Sequence, residues 1–125
     1  MIKLYEYYKC STCVKAVKFL KAKGLKFEQH NIIDAPPSIK ELSTMLDYLK
    51  AEGKGLSRLF NTSGEQYRLL GMSEKLKAGM SESEALKLLS QNGKLVKRPF
   101  VLTGKNGTVG FSAEVWEELF RLHQI

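Results

Sequence analysis

The pattern of apolar residues in the first 33 residues changes from strand-like to helix-like and back to strand-like, and this pattern does most to restrict the fold. Residues 2–7 place apolar side chains among Lys and Glu as a β-strand does, and residues 11–23 form a helical segment that ends at Gly24. A second strand is predicted near residues 27–33. A strand, a helix and a strand within about 30 residues make a parallel crossover, so we expect a β-sheet with helices packed on it.

The middle of the chain is predicted to be helical. Pro36-Pro37 ends the second strand, and Ser38 and Glu41 have the spacing of a capping box that opens a helix. One face of this helix carries Ile39, Leu42, Met45, Leu46 and Leu49, and Gly53 and Gly55 stop it. Further helical pieces are expected at residues 56–60, at residues 65–70, and from a second capping box, Ser81 and Glu84, to Gly93.

A period of two returns near the end of the chain. Residues 100–103 and 108–111 are predicted strands on either side of Asn106-Gly107, a dipeptide typical of tight turns, so we expect an antiparallel hairpin. A last helix follows. In it, Ser112 is the predicted cap, Phe111 and Trp116 form the predicted hydrophobic staple, and Val115, Leu119 and Phe120 are predicted to face inward.

Length and composition limit the class of protein. The chain has 125 residues, 43% of them hydrophobic, which suffices for one domain without metal or disulfide support. No apolar run approaches the roughly 20 residues of a membrane-spanning helix, and residues 1–7 resemble a strand rather than a leader, so we expect a soluble cytoplasmic protein. Structural disulfides are rare in that reducing compartment, so closely spaced cysteines there indicate redox chemistry or metal binding.

The net charge of +7 comes from 20 Lys and Arg against 13 Asp and Glu. Such a surplus favours polyanions, acidic protein surfaces or small oxyanions such as arsenate and phosphate. The simpler interpretation is a solvated helix face, because five lysines cluster around the first helix: Lys15, Lys18, Lys21, Lys23 and Lys26. No nucleic-acid-binding motif accompanies the charge, so we predict neither direct nucleic-acid binding nor membrane binding.

Cys10 and Cys13 lie at the first strand-to-helix turn. The N–H groups and dipole of a helix N-terminus favour a thiolate, which predicts Cys10 as the nucleophile. Cys13, three residues on, comes to the same side and can resolve a disulfide formed on Cys10. Two inert buried cysteines, a zinc half-site, or a single active cysteine are alternatives. Zinc is the least favoured, because His30 and His123 are remote in sequence and a closed site usually needs four ligands.

Arg98-Pro99 immediately precedes the third strand. A proline there is ordinarily a boundary residue, and an arginine beside it is ordinarily solvated. In a domain that starts with a cysteine-bearing crossover, we instead expect a cis proline whose turn lies against the loop before Cys10. Arg98 then supplies a fixed charge that lowers the pKa of the thiol and holds an oxyanion.

Four stretches together resemble the arsenate reductase/Spx family, and within it the short bacterial arsenate reductase-like proteins. They are YEYYKCSTCVKAVK at residues 5–18, DAPPSIKEL at 34–42, LFNTSGEQYRLLG at 59–71, and residues 95–111 with KRPFVLTGKNGTVGF. The resemblance implies one α/β domain over residues 1–125 with a thioredoxin-like, glutaredoxin-like core (β-α-β then β-β-α) at about 1–34 and 94–125, and a helical insertion at about 38–93.

The resemblance also implies a site. Cys10 is the nucleophile, Cys13 the resolving thiol and Arg98 the arginine before the cis proline, with Ser11, Thr12 and Pro99 in supporting positions. It implies no bound cofactor and an external thiol reductant, either a small thiol or a protein such as glutaredoxin or thioredoxin.

This sequence departs from the family pattern at two positions. Arsenate reductases of this type have two further arginines near the oxyanion, and those positions correspond to Asn61 and Phe111 here. Bidentate guanidinium contacts strengthen an arsenate pocket, so their loss predicts poor arsenate reduction while thiol–disulfide chemistry remains intact. Arg58 and Arg68 are the candidate substitutes.

The resemblance implies an alternative function as well. Spx proteins carry a Cys-x-x-Cys at this position and are redox-sensitive regulators that bind the C-terminal domain of the RNA polymerase α subunit. In that interpretation oxidation of Cys10 and Cys13 changes the packing at the helix start and thereby a binding surface. The fragments NTSG at residues 61–64 and VGF at 109–111 favour the reductase-like branch.

Overall fold

A computed structural model describes residues 1–121 of the chain. The strands are β1 (Ile2–Glu6), β2 (Phe27–Asn31), β3 (Phe100–Leu102) and β4 (Gly107–Val109). The α-helices are α1 (Ser11–Ala22), α2 (Ile39–Ala51), α3 (Glu65–Leu69), α4 (Met72–Lys77), α5 (Glu82–Gln91) and α6 (Ala113–Phe120), and short 3-10 helices cover Leu56–Leu59 and Gly93–Leu95.

The four strands form one mixed sheet in the order β2-β1-β3-β4. β1 runs parallel to β2 and antiparallel to β3, and β3 pairs antiparallel with β4. The predicted parallel crossover and the predicted antiparallel hairpin are both confirmed. The cysteines follow the carboxyl end of β1, a central strand.

Helices cover both faces of the sheet. Successive residues of a strand point to opposite faces, so the neighbours Leu4 and Tyr5 belong to different hydrophobic clusters. Leu4 packs with the buried residues of α1 and α6, including Leu20 and Trp116. Tyr5 packs with the buried residues of α2 and α5. The cysteine-bearing helix therefore shares one face of the sheet with α6, and α2 and α5 cover the other.

The middle of the chain contains more helix than predicted. The capping box of Ser38 and Glu41 is confirmed, but Ile39 is half exposed rather than buried, because it lies at the solvent side of the first turn. The helix α4 was not predicted. Gly71 adopts a left-handed conformation with φ of 62° between α3 and α4, and Met72, the first residue of α4, is buried.

The hairpin turn differs from the prediction. Gly104, with φ of 94°, has the left-handed conformation, whereas Asn106 and Gly107 do not. The Thr103 hydroxyl accepts hydrogen bonds from the N–H groups of Lys105 and Asn106, which moves the turn towards the amino end. Gly107 is needed for another reason, since a Cβ there would lie 2.8 Å from the carbonyl oxygen of Val101. β4 consequently begins and ends earlier than predicted.

The last helix is also only partly as predicted. The Ser112 side chain makes no capping hydrogen bond, and Val115 is 48% exposed. The buried face is instead set by the large indole of Trp116, whose Nε1 donates to the Gly110 carbonyl at 3.0 Å. The predicted contact between Phe111 and Trp116 is confirmed, with ring centroids 5.1 Å apart. His123 lies outside the described residues.

Candidate functional site

The cysteine loop, residues 7–10, joins β1 to α1. It is closed by a hydrogen bond from the Cys10 N–H to the Tyr7 carbonyl at 2.9 Å. Cys10 has an extended backbone and is the N-cap residue of α1, and its carbonyl accepts the Val14 N–H at 3.0 Å. The Cys10 side chain makes no standard capping hydrogen bond, and the first turn of α1 contains no acidic residue. The positive end of the helix dipole is therefore left facing the sulfur.

The two cysteines have different surroundings although they share one helical turn. Both are free thiols, with Cys10 half-buried and Cys13 fully buried. The Cys10 Sγ lies 3.1 Å from the Thr12 Oγ1, and the two thiols are within hydrogen-bonding range of each other. An outside reagent can therefore reach Cys10 first.

The pKa of Cys10 is lower than that of an ordinary thiol. Partial burial acts in the opposite direction and is the largest single influence on this pKa. Hydrogen bonds to the sulfur from the Thr12 hydroxyl, the Cys13 thiol, the Cys13 backbone and the Arg98 side chain together outweigh it, because each stabilises the thiolate.

The pKa of Cys13 moves in the other direction. Burial, followed by the hydrogen bond to Cys10, raises the pKa of this thiol to about 12. Neighbouring negative charge on Cys10 adds to the effect, and Arg98 opposes it. At neutral pH the pair therefore holds one activated sulfur and one protonated sulfur beside it.

Arg98 and Pro99 are brought to this site by the start of β3. The Arg98–Pro99 peptide bond is cis, as predicted, and Pro99 is buried. The Arg98 guanidinium carbon lies 5.2 Å from the centroid of the Tyr7 ring, a cation–π contact that holds the side chain over the cysteine loop. Thr12 and Arg98 therefore both contact the sulfur, whereas Ser11 is an exposed first residue of α1.

The described residues offer little for other classes of site. Within residues 1–121, no three His, Cys, Asp or Glu side chains converge as metal ligands. In the same part of the chain, no helix is long and apolar enough to cross a membrane.

Comparison with known proteins identifies the family. A sequence model of the ArsC family matches residues 5–119. The chain belongs to the ArsC family. A solved ArsC family related protein from Bacteroides fragilis is 40% identical, with a TM-score of 0.85, and the match covers 94% of this chain and 96% of that one. The fold is thioredoxin-like, as predicted.

Two curated relatives match most of the chain. The uncharacterized protein YusI of Bacillus subtilis (strain 168) is 43% identical over 114 residues, 91% of this chain and 93% of YusI. The global transcriptional regulator Spx of Streptococcus agalactiae serotype V is 29% identical over 114 residues, 91% of this chain and 79% of Spx. The similarity thus includes one relative of unknown role and one that is named as a transcriptional regulator.

The two positions that lack the expected ArsC arginines both adjoin Arg98. Asn61 and Arg98 line a pocket of about 160 Å³, and Phe111 and Arg98 line a second pocket of about 280 Å³. Of the candidate substitutes, Arg58 lines the second pocket, but Arg68 lines neither.

Sequence reasoning missed several residues at this site. The second pocket, which we call the basic pocket, is lined by Lys54, Arg58, Lys97 and Arg98 together with Thr12. Lys54 and Lys97 carry no sequence signal, because exposed lysines are common and only the fold brings these two together. Tyr7 could have been suspected from its place beside the cysteines, since arginine commonly stacks on aromatic rings.

Proposed function

We propose that this ArsC family protein is a thiol–disulfide oxidoreductase with Cys10 as the nucleophile and Cys13 as the resolving thiol. The observation that carries the proposal is the half-buried Cys10 at the start of α1, where Thr12 and Arg98 favour its thiolate, within one helical turn of a fully buried Cys13. A thiolate at an uncapped helix start with a second thiol in reach is what disulfide exchange requires.

In the first step, the Cys10 thiolate attacks one sulfur of a substrate disulfide. A bond forms between the Cys10 sulfur and that atom, the substrate S–S bond breaks, and the other substrate sulfur leaves as a thiolate. Arg98 and the start of α1 favour the anionic form of Cys10 before the attack. The product is a mixed disulfide on Cys10.

In the second step, Cys13 loses its proton to solvent and attacks the Cys10 sulfur. The hydrogen bond to Cys10 and the charge on Cys10 both raise the pKa of Cys13, and both influences disappear once Cys10 is in a mixed disulfide. The Cys13 pKa therefore falls when the thiolate is needed. The second substrate sulfur leaves as a thiolate, the protein gains a Cys10–Cys13 disulfide, and the substrate has gained two electrons.

An external thiol then restores the protein. A dithiol protein such as thioredoxin or glutaredoxin, or a small thiol, attacks the Cys10–Cys13 disulfide and is itself oxidised. No bound cofactor takes part in this cycle.

Mass mapping after oxidation tests the proposal. Wild type, Cys10→Ser and Cys13→Ser are treated with a small disulfide and then digested. We expect an internal Cys10–Cys13 disulfide in wild type, a stable mixed disulfide in Cys13→Ser, and almost no modification in Cys10→Ser. Equal modification of both single variants would contradict the assignment of Cys10 as nucleophile.

Arsenate is expected to be a poor substrate. The dianion must lie against the Cys10 sulfur, where its charge and that of the thiolate repel unless several donors oppose them. Of the basic-pocket cations, only Arg98 acts on this sulfur. Two missing charge-assisted contacts, at about 1.5 to 3 kcal/mol each, lower the efficiency by orders of magnitude. A coupled arsenate assay with ordinary enzymatic turnover, abolished by Cys10→Ser, would contradict this expectation.

A redox-regulatory role is the second candidate, favoured by the 29% identity to Spx over 91% of this chain. The partner would be the C-terminal domain of the RNA polymerase α subunit. A pull-down of that domain with the reduced and the oxidised protein separates the two functions. Binding that changes with the redox state of Cys10 and Cys13 supports regulation, and its absence in both states leaves the oxidoreductase alone.

A further inference from the structure

We propose that the basic pocket binds carboxylate groups beside the disulfide that Cys10 attacks, so that the preferred substrates are carboxylate-flanked disulfides. The inference rests on the proposed oxidoreductase function and specifies its substrate class. The shared chemistry fits a small carboxylate-bearing thiol in disulfide form or an acidic stretch next to a disulfide in a protein.

The backbone builds this pocket. The 3-10 helix Leu56–Leu59 is joined to the segment before β3 by the Asn61 N–H to the Leu95 carbonyl at 2.7 Å and the Lys97 N–H to the Leu59 carbonyl at 2.8 Å. These bonds set Arg58 beside Lys97 and Arg98. The N–H of Lys54 donates to the Leu49 carbonyl at 2.9 Å, so the backbone of Lys54 is fixed to the end of α2.

The charge of the pocket is poorly compensated. Among residues 1–121, Arg58, Lys97 and Arg98 form no ion pair within 4.0 Å, and no Asp or Glu of this region lines the pocket. Lys54 has only a long contact with Glu52 at 3.9 Å. Four like charges around one cavity repel each other, and an anionic ligand relieves that repulsion.

The same pocket lies beside the reactive sulfur. Thr12 lines it, and the Thr12 Oγ1 is 3.1 Å from the Cys10 Sγ. Arg98 also lines it and stabilises the Cys10 thiolate. A ligand in the pocket therefore contacts two side chains that also act on the attacking atom. A substrate whose carboxylate binds in the basic pocket thereby has its disulfide beside Cys10.

The size and walls of the pocket favour an organic ligand over a compact ion. Its volume is about 280 Å³, whereas a water in the liquid occupies about 30 Å³. Phe111 and Trp116, with ring centroids 5.1 Å apart, also line the pocket and give it apolar surface. A disulfide with carboxylates on a short carbon chain can extend from Cys10 towards Lys54 and Arg58, which a single tetrahedral anion cannot do.

The test compares three small disulfides of different charge: dianionic dithiobis(nitrobenzoate), neutral dithiodipyridine and dicationic cystamine. The rate of Cys10 modification is measured for wild type, Arg58→Gln, Lys97→Gln and Lys54→Gln. We expect each substitution to lower the ratio of the dianion rate to the neutral rate about two- to fivefold, and to raise the relative rate of cystamine. The wild-type ratio should also fall with added salt.

Lys87→Gln is the matched control, because it removes the same charge from an exposed position on α5 that does not line the pocket. Its ratio should equal that of wild type. If all four variants share the wild-type ratio, or if Lys87→Gln lowers the ratio as much as Arg58→Gln, the pocket does not select carboxylates. A protein whose Cys10 fails to react even with neutral dithiodipyridine would instead contradict the proposed function.

A second comparison distinguishes the two sources of carboxylate. Reduction rates are measured for glutathione disulfide and for a disulfide-linked peptide with acidic flanks, each against a neutral amide analogue. A charge preference confined to one pair identifies that source. No preference in either pair overturns the inference.

Discussion

The helices α1 and α2 begin in opposite ways. At α2, the Ser38 Oγ accepts the Glu41 N–H at 3.1 Å and the Glu41 carboxylate accepts the Ser38 N–H at 3.0 Å. The same carboxylate accepts the Tyr5 hydroxyl at 2.7 Å. At α1, the N-cap residue is Cys10, whose side chain makes no standard capping hydrogen bond, and no acid follows in the first turn.

The comparison shows how one small fold separates stability from chemistry. A carboxylate near the start of α1 would satisfy the free N–H groups, but it would also repel the thiolate and raise its pKa. The acid is present at α2, where it links the helix to β1. The start of α1 instead keeps its N–H groups and dipole available to a sulfur anion.

The largest effect is expected from converting the α1 start into a capped one. In Cys10→Ser, disulfide exchange should be abolished, because a hydroxyl cannot form the mixed disulfide. Stability should rise by about 0.5 to 1 kcal/mol, since serine is among the best N-cap residues and Cys10 makes no cap bond. Urea denaturation measures the change, with Cys10→Ala as the control that lacks a capping oxygen. A Cys10→Ser protein no more stable than Cys10→Ala would show that this helix start cannot be capped.

The second expected effect is the difference between the two thiols. With a pKa of about 12, about one Cys13 in 100,000 is a thiolate at pH 7, whereas the pKa of Cys10 is lowered from the ordinary thiol value. Iodoacetamide should therefore alkylate Cys10 at least about tenfold faster at neutral pH. The Cys10 rate should rise with pH and level off at a lower pH than the Cys13 rate. Mass spectrometry follows alkylation at each cysteine. Equal alkylation rates at Cys10 and Cys13 would contradict the assignment of Cys10 as nucleophile and Cys13 as resolving thiol.

Local sequence patterns were sufficient for the parts of this comparison that depend on a few neighbouring residues. Both helix starts, the Ser38 and Glu41 box and the cis bond at Pro99 were predicted, the last with help from the family resemblance. Local patterns were misleading where contacts between residues distant in sequence determine which side chains are buried. On α6, Val115 was predicted to face inward, but Trp116 is buried and Val115 is exposed.

The basic pocket shows the same limit at the site. Its four cations come from the end of α2, a 3-10 helix and the segment before β3, which are joined only in the folded chain. Arg98 was predicted at the site and Arg58 was a candidate substitute, whereas Lys54 and Lys97 alone have the character of solvated surface charges. The sequence could therefore supply the reactive thiols and Arg98 but not the group of four cations.

The third expected effect is the loss of the α2 box. Glu41→Ala should lower the free energy of unfolding by about 2 to 3 kcal/mol, because it removes a cap partner and leaves the buried Tyr5 hydroxyl without its acceptor. The Cys10 alkylation rate should not change, since Glu41 does not act on that sulfur. Urea denaturation and iodoacetamide kinetics on the same samples check both halves, and a change in Cys10 reactivity would show that the two helix starts are coupled.

The pH dependence of this contribution follows from the Glu41 pKa. Burial alone would raise that pKa. Hydrogen bonds from the Ser38 backbone and the Tyr5 hydroxyl, together with Lys3, lower it by a larger amount, so the pKa of Glu41 lies below its ordinary value. A depressed folded pKa stabilises the fold above the unfolded value of about 4.3, and that stabilisation is lost as the pH falls through the folded pKa. The stability difference between wild type and Glu41→Gln should therefore shrink in acid.

The smallest expected effect concerns α5, where the predicted second box is only half formed. The Ser81 Oγ accepts the Glu84 N–H at 3.1 Å, but among the described residues the Glu84 carboxylate makes no return bond to the Ser81 N–H. Ser81→Ala should therefore cost about 1 kcal/mol, as for the loss of an N-cap oxygen. Glu84→Ala should cost less than about 0.5 kcal/mol, since only a weak interaction with the helix dipole is removed. At α5 the serine substitution should therefore cost more than the glutamate substitution. At α2 the glutamate substitution should not be the milder one, because Glu41 also contacts Tyr5 and Lys3. Urea denaturation of the four alanine variants at positions 38, 41, 81 and 84 measures these costs, and a Glu84→Ala loss as large as that of Glu41→Ala would mean that α5 is capped as fully as α2 in solution.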